Sequence, residues 1–362
     1  MGPRQSTMIN KRFARNSAKS GDAFAGLQVE VQIGAEPEPK VSMSSAPPKS
    51  ASVIGLPAAR IDKLQAKVWN PNSPDAWETD IREYHSVEAS AYALPSDEIE
   101  QNRLETQHYI LQAIFHGDIV CPNAKELVAL ASSKVLDVGC AKGFWLQSVR
   151  KEYPLSEYHG VDLMISKDTS ATNISDENNV FLKFGNVLEG LPYDDNTFDF
   201  VHQRFLTLGM PKDKFSESLQ ELVRVTKAGG WIEVIEGDLM VYKAGPYSKQ
   251  LSQALIGAMQ ARGLDCYAAT NLEWHARKLT EHISNAEFKT IHTPYNDDSP
   301  VGKLNGPNGK AAFLALEDWM HKSMGVTREE YRELVENCVT EWAEFNSFAQ
   351  IRAFYFQENF NY

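Results

Sequence analysis

The stretch that most constrains the fold of this chain runs from Val135 to Trp145 and reads VLDVGCAKGFW. An apolar run, interrupted only by Asp137, gives way to Gly139, and a helical pattern begins after Gly143. This order predicts a strand, a tight glycine turn and a helix. In a doubly wound sheet such a turn binds nucleotide-like ligands, because glycines let the backbone approach the ligand and the helix N-terminus offers free N–H groups. We therefore expect a cofactor site here.

The glycine spacing and a second carboxylate indicate which cofactor. Gly139 and Gly143 stand four residues apart, whereas a dinucleotide-binding turn has the pattern G-x-G-x-x-G. This spacing therefore disfavours a nicotinamide-dependent dehydrogenase as the function of the chain. Asp162 lies in a second apolar run, Tyr158 to Leu163, at the distance that one strand-helix-strand unit requires. A carboxylate there can accept hydrogen bonds from both hydroxyls of a ribose.

The pattern D-x-G-x-x-x-G, followed by an acidic residue that closes the next strand, resembles the first two motifs of class I S-adenosylmethionine (SAM) methyltransferases. Two later segments, FGNVLEGLPYDDNTFDFVHQRF and LVRVTKAGGWIEVIE, resemble the third to fifth motifs, so the resemblance covers roughly residues 94–236. Within it, YALPSDEIEQNRLETQHYIL resembles the helix ahead of the cofactor domain in fungal LaeA-like methyltransferases. The resemblance implies SAM as cofactor. It also implies an α/β fold with a doubly wound, seven-stranded, mostly parallel, Rossmann-like sheet and helical cap or insertions.

Apolar runs and helical periodicities predict the elements of this fold. We expect strands at residues 134–139, 158–163, 180–184, 198–203, 231–236, 288–293 and 351–356. Helices are predicted at residues 214–226, 248–262 and 272–284, and a further helix capped by Ser96 is predicted before the sheet. A capping box of Thr327 with Glu330 predicts the start of another helix. The resemblance implies that the last two strands pair as an antiparallel hairpin.

Composition divides the chain into three parts. Residues 1–65 are rich in Ser, Ala, Pro, Lys and Arg and are expected to form a disordered basic arm. Residues 66–130 are expected to form a wrapping segment and a helix that contribute to the cap. Residues 131–362 are expected to form the methyltransferase domain, with a helical insertion at about residues 295–347.

The charge of the chain narrows its expected partners. The formal net charge is −12, and residues 1–70 carry ten basic and five acidic residues, so the remainder carries −17. Nucleic acids and anionic membranes are bound largely through clustered cations, so we expect neither as a partner. The four cysteines form no C-x-x-C pair, and no metal site is expected. We expect a cytoplasmic location. The basic arm could instead serve as a nuclear-import patch or, less favoured, a mitochondrial presequence.

The resemblance assigns cofactor contacts to the ends of the first three strands. Gly139 and Gly143 would let the backbone pass close to the methionine part of SAM, with Cys140 between them. Asp137 would anchor the loop or reach the cofactor's amino group through water. Asp162 would bind the ribose, and the neighbouring Leu163 is a further cofactor contact. Asn186 would accept a hydrogen bond from the adenine amino group, and Val187 would donate its backbone N–H to the ring.

Three further residues are candidate cofactor contacts, and the first two each have a structural alternative. Trp145 could lie near the sulfonium, since an aromatic face attracts a cation, or it could pack in the core. Arg103, on the helix ahead of the sheet, could pair with the carboxylate of SAM or be solvated at the surface. Gln203 ends the fourth strand beside the expected position of the methyl group. His108 shares an apolar stripe with Leu104 and is expected to pack.

His202 is the first candidate for a general base, because it ends the fourth strand and its ordinary pKa of about 6.5 allows proton transfer near neutral pH. A structural histidine bonded to backbone is an equally supported alternative. Glu236, at the end of the fifth strand, is the second candidate. Methyl transfer from a sulfonium depends mainly on holding the nucleophile in line, so a dedicated base is not required.

These observations leave two functions open. The first is a SAM-dependent methyltransferase that modifies an oxygen or nitrogen of a small, partly apolar, secondary-metabolite-like acceptor. Aromatic residues of the predicted cap favour such an acceptor: Trp274, Phe313, Trp319, Tyr331 and Trp342. The second is a regulatory SAM-binding protein of the LaeA-like kind, which would act through protein partners and use the N-terminal arm to dock.

Overall fold

A single sheet of parallel strands with an antiparallel edge forms the centre of the protein in a computed structural model. The structure describes residues 82–84, 92–165, 172–173, 179–279 and 281–359, all in one compact unit of the chain. The predicted basic arm, residues 1–65, lies outside the described residues, as do residues 66–81 and 85–91 of the segment predicted to wrap the domain. The strands are β1 (Lys134–Val138), β2 (Glu157–Asp162), β3 (Thr172–Asn173), β4 (Val180–Phe184), β5 (Phe198–Arg204), β6 (Thr226–Gly237), β7 (Ile283–Pro294) and β8 (Phe348–Glu358).

The strand order is β3-β4-β2-β1-β5-β6-β8-β7. Strands β4, β2, β1, β5 and β6 are parallel, whereas β8 runs antiparallel to both β6 and β7. This arrangement confirms the predicted α/β fold with a doubly wound, mostly parallel sheet and a terminal antiparallel hairpin. The two-residue strand β3, which pairs antiparallel with β4, adds to the seven predicted strands.

The parallel strands form because their apolar residues are buried on both faces of the sheet. In β1, Val135 belongs to a core cluster on one face and Leu136 to a cluster on the other. The same alternation separates Phe200 from Val201 in β5. Both faces therefore need helices to cover them, which explains the alternation of strands and helices along the chain.

Nine helices cover the sheet and build the cap within the described residues: α1 (Glu98–Phe115), α2 (Pro122–Val128), α3 (Phe144–Glu152), α4 (Phe215–Val225), α5 (Pro246–Ala261), α6 (Leu272–Arg277), α7 (Pro300–Ala315), α8 (Glu317–Met324) and α9 (Arg328–Glu344). None of the described helices is long and apolar enough to cross a membrane.

Two predicted helix boundaries were wrong. The residue that caps α1 is Asp97 and not Ser96, because the Asp97 side chain accepts a hydrogen bond from the Glu100 backbone N–H. The helix predicted at residues 272–284 ends at Arg277. Its last two residues instead begin β7, since Ile283 and Ser284 pair with β8.

Helices α5, α7, α8 and α9 form a cap with its own core, separate from the two clusters on the sheet. Tyr331 and Trp342 are fully buried in this third cluster. The predicted capping box starts α9: Thr327 accepts from the Glu330 backbone N–H, and the Glu330 carboxylate accepts from the Thr327 N–H. Helices α7 to α9 lie between β7 and β8 in the chain.

Glu341 joins two helices of this cap. Its buried carboxylate accepts hydrogen bonds from the backbone N–H groups of Tyr247 and Ser248 at 3.0 and 2.9 Å, and from the Ser248 hydroxyl at 3.0 Å. These N–H groups belong to the first turn of α5, where a negative charge is favoured by the helix dipole. The carboxylate therefore fixes the start of α5 against α9.

We expect Glu341→Ala to lower the free energy of unfolding by about 2 kcal/mol, because it leaves buried donors without an acceptor. Urea denaturation measures the loss. Glu344→Ala, which removes an exposed carboxylate from the same helix, is the matched control and should change stability little. An equal effect of the two substitutions would contradict this role for Glu341.

Candidate functional site

The loop between β1 and α3, residues 139–143, turns sharply because three of its residues have left-handed backbone conformation. Gly139 has φ of 76°, Ala141 of 48° and Gly143 of 75°. The backbone N–H groups of Gly139 and Cys140 both donate to the Val161 carbonyl, at 2.8 and 3.1 Å. These bonds tie the loop to the end of β2. The predicted glycine turn is therefore present, and its two glycines occupy positions where a side chain would cost free energy.

Asp162 completes the connection between the loop and β2. Its Oδ2 accepts a hydrogen bond from the Ala141 N–H at 2.8 Å, and its Oδ1 accepts from the Met164 N–H at 2.8 Å. Asp162 thus holds the loop through both oxygens, and a carboxylate at this place in the fold is the type of group that accepts hydrogen bonds from a ribose.

A cleft opens at the carboxyl ends of β1, β2, β4 and β5, with α1 as a further wall. Its empty space is about 1120 Å³, including the part open to solvent. The topology places it at a switch point, because the chain leaves β1 toward β2 and β4 on one side and returns to β5 on the other. Open α/β sheets bind ligands at such points.

Seven of the predicted cofactor residues line this cleft: Asp137, Gly139, Cys140, Asp162, Leu163, Asn186 and Val187. The structure therefore brings together residues from three separate strand ends. The surroundings of two of these residues, Asn186 and Cys140, limit what their side chains can do. Asn186 accepts from the Leu188 N–H and donates to Glu189, so its side chain holds its own turn. Burial raises the pKa of the Cys140 thiol, which keeps it protonated.

The structure does not place His202 at the cleft, and the predicted general base is corrected. Strand β5 continues to Arg204, so His202 lies inside the sheet and is fully buried. Its Nδ1 lies 2.8 Å from Asp137 Oδ1. Its ring stacks on Trp145, with centroids 3.9 Å apart and planes within 4°. His202 therefore supports Asp137 in β1, and its buried ring is not accessible to an acceptor.

Trp145 is likewise a core residue and does not face the position expected for a sulfonium. It is buried, and its indole N–H donates to the Asp118 carbonyl at 2.7 Å. One face of its ring is covered by His202. The packing alternative for this residue is therefore the one that the structure favours.

Glu236, the second candidate base, supports the loop after β5 from inside the core. It is fully buried and accepts hydrogen bonds from the Leu206 N–H at 2.9 Å and from the Thr207 hydroxyl at 2.8 Å. Burial raises the pKa of its carboxyl to about 7, although these hydrogen bonds favour the ionised form. Glu236 does not line the cleft, so its placement gives it a structural role.

Arg103 and Gln203 are also buried away from the cleft lining. The Arg103 guanidinium forms a close ion pair with Glu100 one turn earlier on α1, with Nη2 2.6 Å from Oε1. Gln203 accepts a hydrogen bond from Ser218 on α4 at 3.1 Å. Gly143 is the N-cap of α3 and ends the loop, but it does not line the cleft.

Sequence reasoning missed several residues that do line the cleft. These come from α1 and the segment before it (Tyr92, Leu104 and Gln107), from the end of β5 (Arg204) and from the turn that follows (Phe205, Leu206 and Met210). The strand pattern could have identified Arg204, because it is the residue that follows the predicted end of the strand. Tyr92 and Gln107 had no such signal, since only the packing of α1 brings them to the sheet.

The residues present fit SAM. The glycine turn allows a close backbone approach, Asp162 places a carboxylate where this kind of fold binds a ribose, and Leu163 and Val187 supply apolar surface for a purine. No group of three or more His, Cys, Asp or Glu residues suited to a metal ion occurs among the described residues.

The chain is similar to known methyltransferases. A family model described as a methyltransferase domain matches residues 135–230. The chain is 29% identical to the secondary metabolism regulator laeA of Coprinopsis cinerea, over 47% of this chain and 42% of the relative. It is 30% identical to the N-methyltransferase verN of Clonostachys rogersoniana, over 44% and 54%. The N-methyltransferase sirN of Leptosphaeria maculans is 28% identical, over 66% and 80%. The chain thus spans about half the length of the first two relatives.

We expect Gly139→Ala to distort the cleft. A Cβ at this position would lie 2.5 Å from Leu206 Cδ2, and a non-glycine residue in left-handed backbone costs about 1–2 kcal/mol. The free energy of unfolding should fall by about that amount, and SAM should bind more weakly because Leu206 is displaced. Urea denaturation and calorimetry measure the two effects.

Gly257→Ala is the matched control, because a Cβ there meets no atom within 4 Å and the residue lies within α5. It should stabilise the chain by about 0.5–1 kcal/mol and leave SAM affinity unchanged. If Gly139→Ala left both stability and affinity intact, the proposed close packing of the loop against Leu206 would be contradicted.

Proposed function

Since the chain belongs to the class I SAM-dependent methyltransferases and resembles their fungal LaeA-like members, we propose that it transfers the methyl group of SAM to a small, partly apolar acceptor. The observation that carries the proposal is the cleft at the switch point of the sheet, where the glycine turn of β1 and the carboxylate of β2 meet. In this cleft the carboxylate of β2 can bind the sugar of SAM, and the glycine turn of β1 can receive its amino-acid part.

We assign the cofactor contacts as follows. Asp162 accepts hydrogen bonds from the ribose hydroxyls, and its bonds to the loop hold it in place for that task. Leu163 and Val187 cover the faces of the adenine. The residues Gly139 and Cys140 keep the backbone against the amino-acid part, because their N–H groups are fixed to Val161.

When bound, SAM supplies a methyl group on a positively charged sulfur, which needs no acid for its departure. The contribution of this chain is then to hold the acceptor in line and to exclude water. Among the described residues that line the cleft there is no histidine and no glutamate. Burial raises the pKa of Tyr92, so its phenol remains protonated.

The described lining residues include no histidine and no glutamate, and their two carboxylates, Asp137 and Asp162, already make hydrogen bonds that hold the strand ends. This arrangement favours nitrogen as the methylated atom. A neutral amine attacks directly and loses its proton after transfer, whereas an ordinary hydroxyl has to lose its proton as it attacks. The names of two relatives, both N-methyltransferases, support the same choice. We therefore propose an amine-type nitrogen as the acceptor atom and keep oxygen as the alternative.

The acceptor would contact different aromatic residues from those predicted. Phe313, Tyr331 and Trp342 pack inside the cap, Trp319 packs against that cluster, and Trp274 is exposed with Lys278 over its ring. The aromatic side chains that line the cleft are Tyr92, Phe144 and Phe205. These three support a small and partly apolar acceptor.

A second function is a regulatory SAM-binding protein that acts through protein partners. The similarity to laeA of Coprinopsis cinerea favours it. In that case the N-terminal arm would dock the partner, and SAM would bind without turnover. The catalytic and the regulatory functions require the same cofactor site. Detection of methyl transfer to an acceptor therefore distinguishes them, whereas SAM binding alone does not.

Incubation of the purified protein with methyl-labelled SAM and extract of the host organism tests the choice. We expect label on a small metabolite, identified by mass spectrometry, and none when the protein is left out. Label on a protein such as a histone would support a chromatin role. SAM binding without any labelled product would contradict catalysis and support the regulatory function.

We expect Asp162→Ala to weaken SAM binding about 10- to 100-fold, since a charge-assisted hydrogen bond contributes about 1.5–3 kcal/mol. Isothermal calorimetry measures the affinity. Asp162→Asn keeps an acceptor oxygen and should lose less. Asp195→Ala removes an exposed carboxylate that pairs with Arg224 and should bind SAM as tightly as the unmodified chain. Unchanged affinity of Asp162→Ala would rule out Asp162 as the ribose ligand.

A further inference from the structure

Arg204 is the only cation among the described residues that line the cleft. It is the last residue of β5. The register pairs Asp137 with His202 and Val138 with Gln203, so Arg204 lies level with Gly139, the first residue of the turn. A positive charge therefore lies beside the part of the loop to which the proposed function assigns the amino-acid half of the cofactor.

The guanidinium of Arg204 has no carboxylate partner. It makes no ion pair with any described carboxylate, and its one hydrogen bond is from Nη1 to His108 Nδ1 at 3.3 Å. Arginine has five N–H donors, so most of them remain available to a ligand. Burial lowers the pKa of Arg204, and the charges of Asp137, Asp118 and Glu233 oppose that shift. Arginine stays protonated in proteins, so this partly enclosed charge favours an anion.

His108 orients the guanidinium. Burial, followed by the nearby charge of Arg204, lowers the pKa of His108 well below its usual value, so the imidazole is neutral. Its Nδ1 can then accept from Arg204, and its Nε2 carries the proton and faces Asp118 Oδ1 at 3.7 Å. A neutral partner fixes the direction of the arginine without cancelling its charge.

Arg103 differs from Arg204 in this respect. Its charge is matched by Glu100 at 2.6 Å within α1, and it does not line the cleft. The predicted partner of the cofactor carboxylate was Arg103, whose pairing with Glu100 and position away from the cleft lining do not suit that role.

We infer that Arg204 binds the methionine carboxylate of SAM. This inference rests on the proposed function. In this arrangement Arg204 faces the carboxylate of the ligand, and Asp137 lies near its ammonium group. A planar guanidinium can bind a carboxylate through two parallel N–H···O bonds, which would fix the orientation of the amino-acid part and with it the sulfur.

The test compares two ligands by calorimetry: S-adenosylhomocysteine and its decarboxylated analogue, which lacks only the carboxylate. The unmodified chain should bind the first about 10- to 100-fold more tightly. Arg204→Met should remove this difference by weakening only the binding of S-adenosylhomocysteine. Lys151→Met, which removes an exposed charge that also acts on His108, is the control and should keep the difference.

Each outcome separates the inference from the proposed function. Equal affinity of the unmodified chain for the two ligands would overturn the inference and leave the cofactor site standing, and this measurement does not depend on whether Arg204→Met folds. Equal weakening of both ligands in Arg204→Met would also overturn it, because the residue would then shape the cleft as a whole. Failure of the unmodified chain to bind either ligand would refute the proposed function itself.

Discussion

The hydrogen bonds of Asp162 are the interaction on which the site depends. One carboxylate joins the turn after β1 to the turn after β2, through Ala141 and Met164. Left-handed backbone at Gly139 and Gly143 would be costly for other residues, and the bond to Asp162 helps to hold the turn in that form. The residue proposed to bind the ribose therefore also builds the loop that receives the rest of the cofactor.

Buried polar residues extend this support beneath the cleft. Asp137 is held by His202 on the neighbouring strand, and Trp145 of α3 covers the imidazole. Glu236 fixes the backbone after β5 at Leu206 and Thr207. Because buried charges are costly unless they are hydrogen-bonded, these contacts define the geometry of the strand ends closely. Ionisable residues that the sequence suggested for catalysis thus serve to shape the site.

The strands and the glycine turn could be predicted because their signals are local. Apolar runs buried on both faces, as in β1, and the D-x-G-x-x-x-G spacing identify themselves within a few residues. The start of α9 was predicted for the same reason, since a capping box is a contact between Thr327 and Glu330.

The direction of side chains across the sheet could not be predicted in the same way. The predicted end of β5, at residue 203, is one residue short of its observed end at Arg204, so His202 lies inside the sheet and Arg204 lies at the cleft. Contacts between distant segments carried no sequence signal, such as the approach of Tyr92 and Gln107 of the α1 region to the cleft. The ion pair that removes Arg103 from consideration depends on burial, which periodicity alone does not give.

The most direct test of the account is a crystal structure of this chain with S-adenosylhomocysteine. The account predicts that both ribose hydroxyls lie within hydrogen-bond distance of Asp162, with the amino-acid part against the turn at residues 139–143 and the adenine beside Val187. A ligand bound elsewhere on the sheet, or bound in this cleft with its ribose away from Asp162, would contradict it.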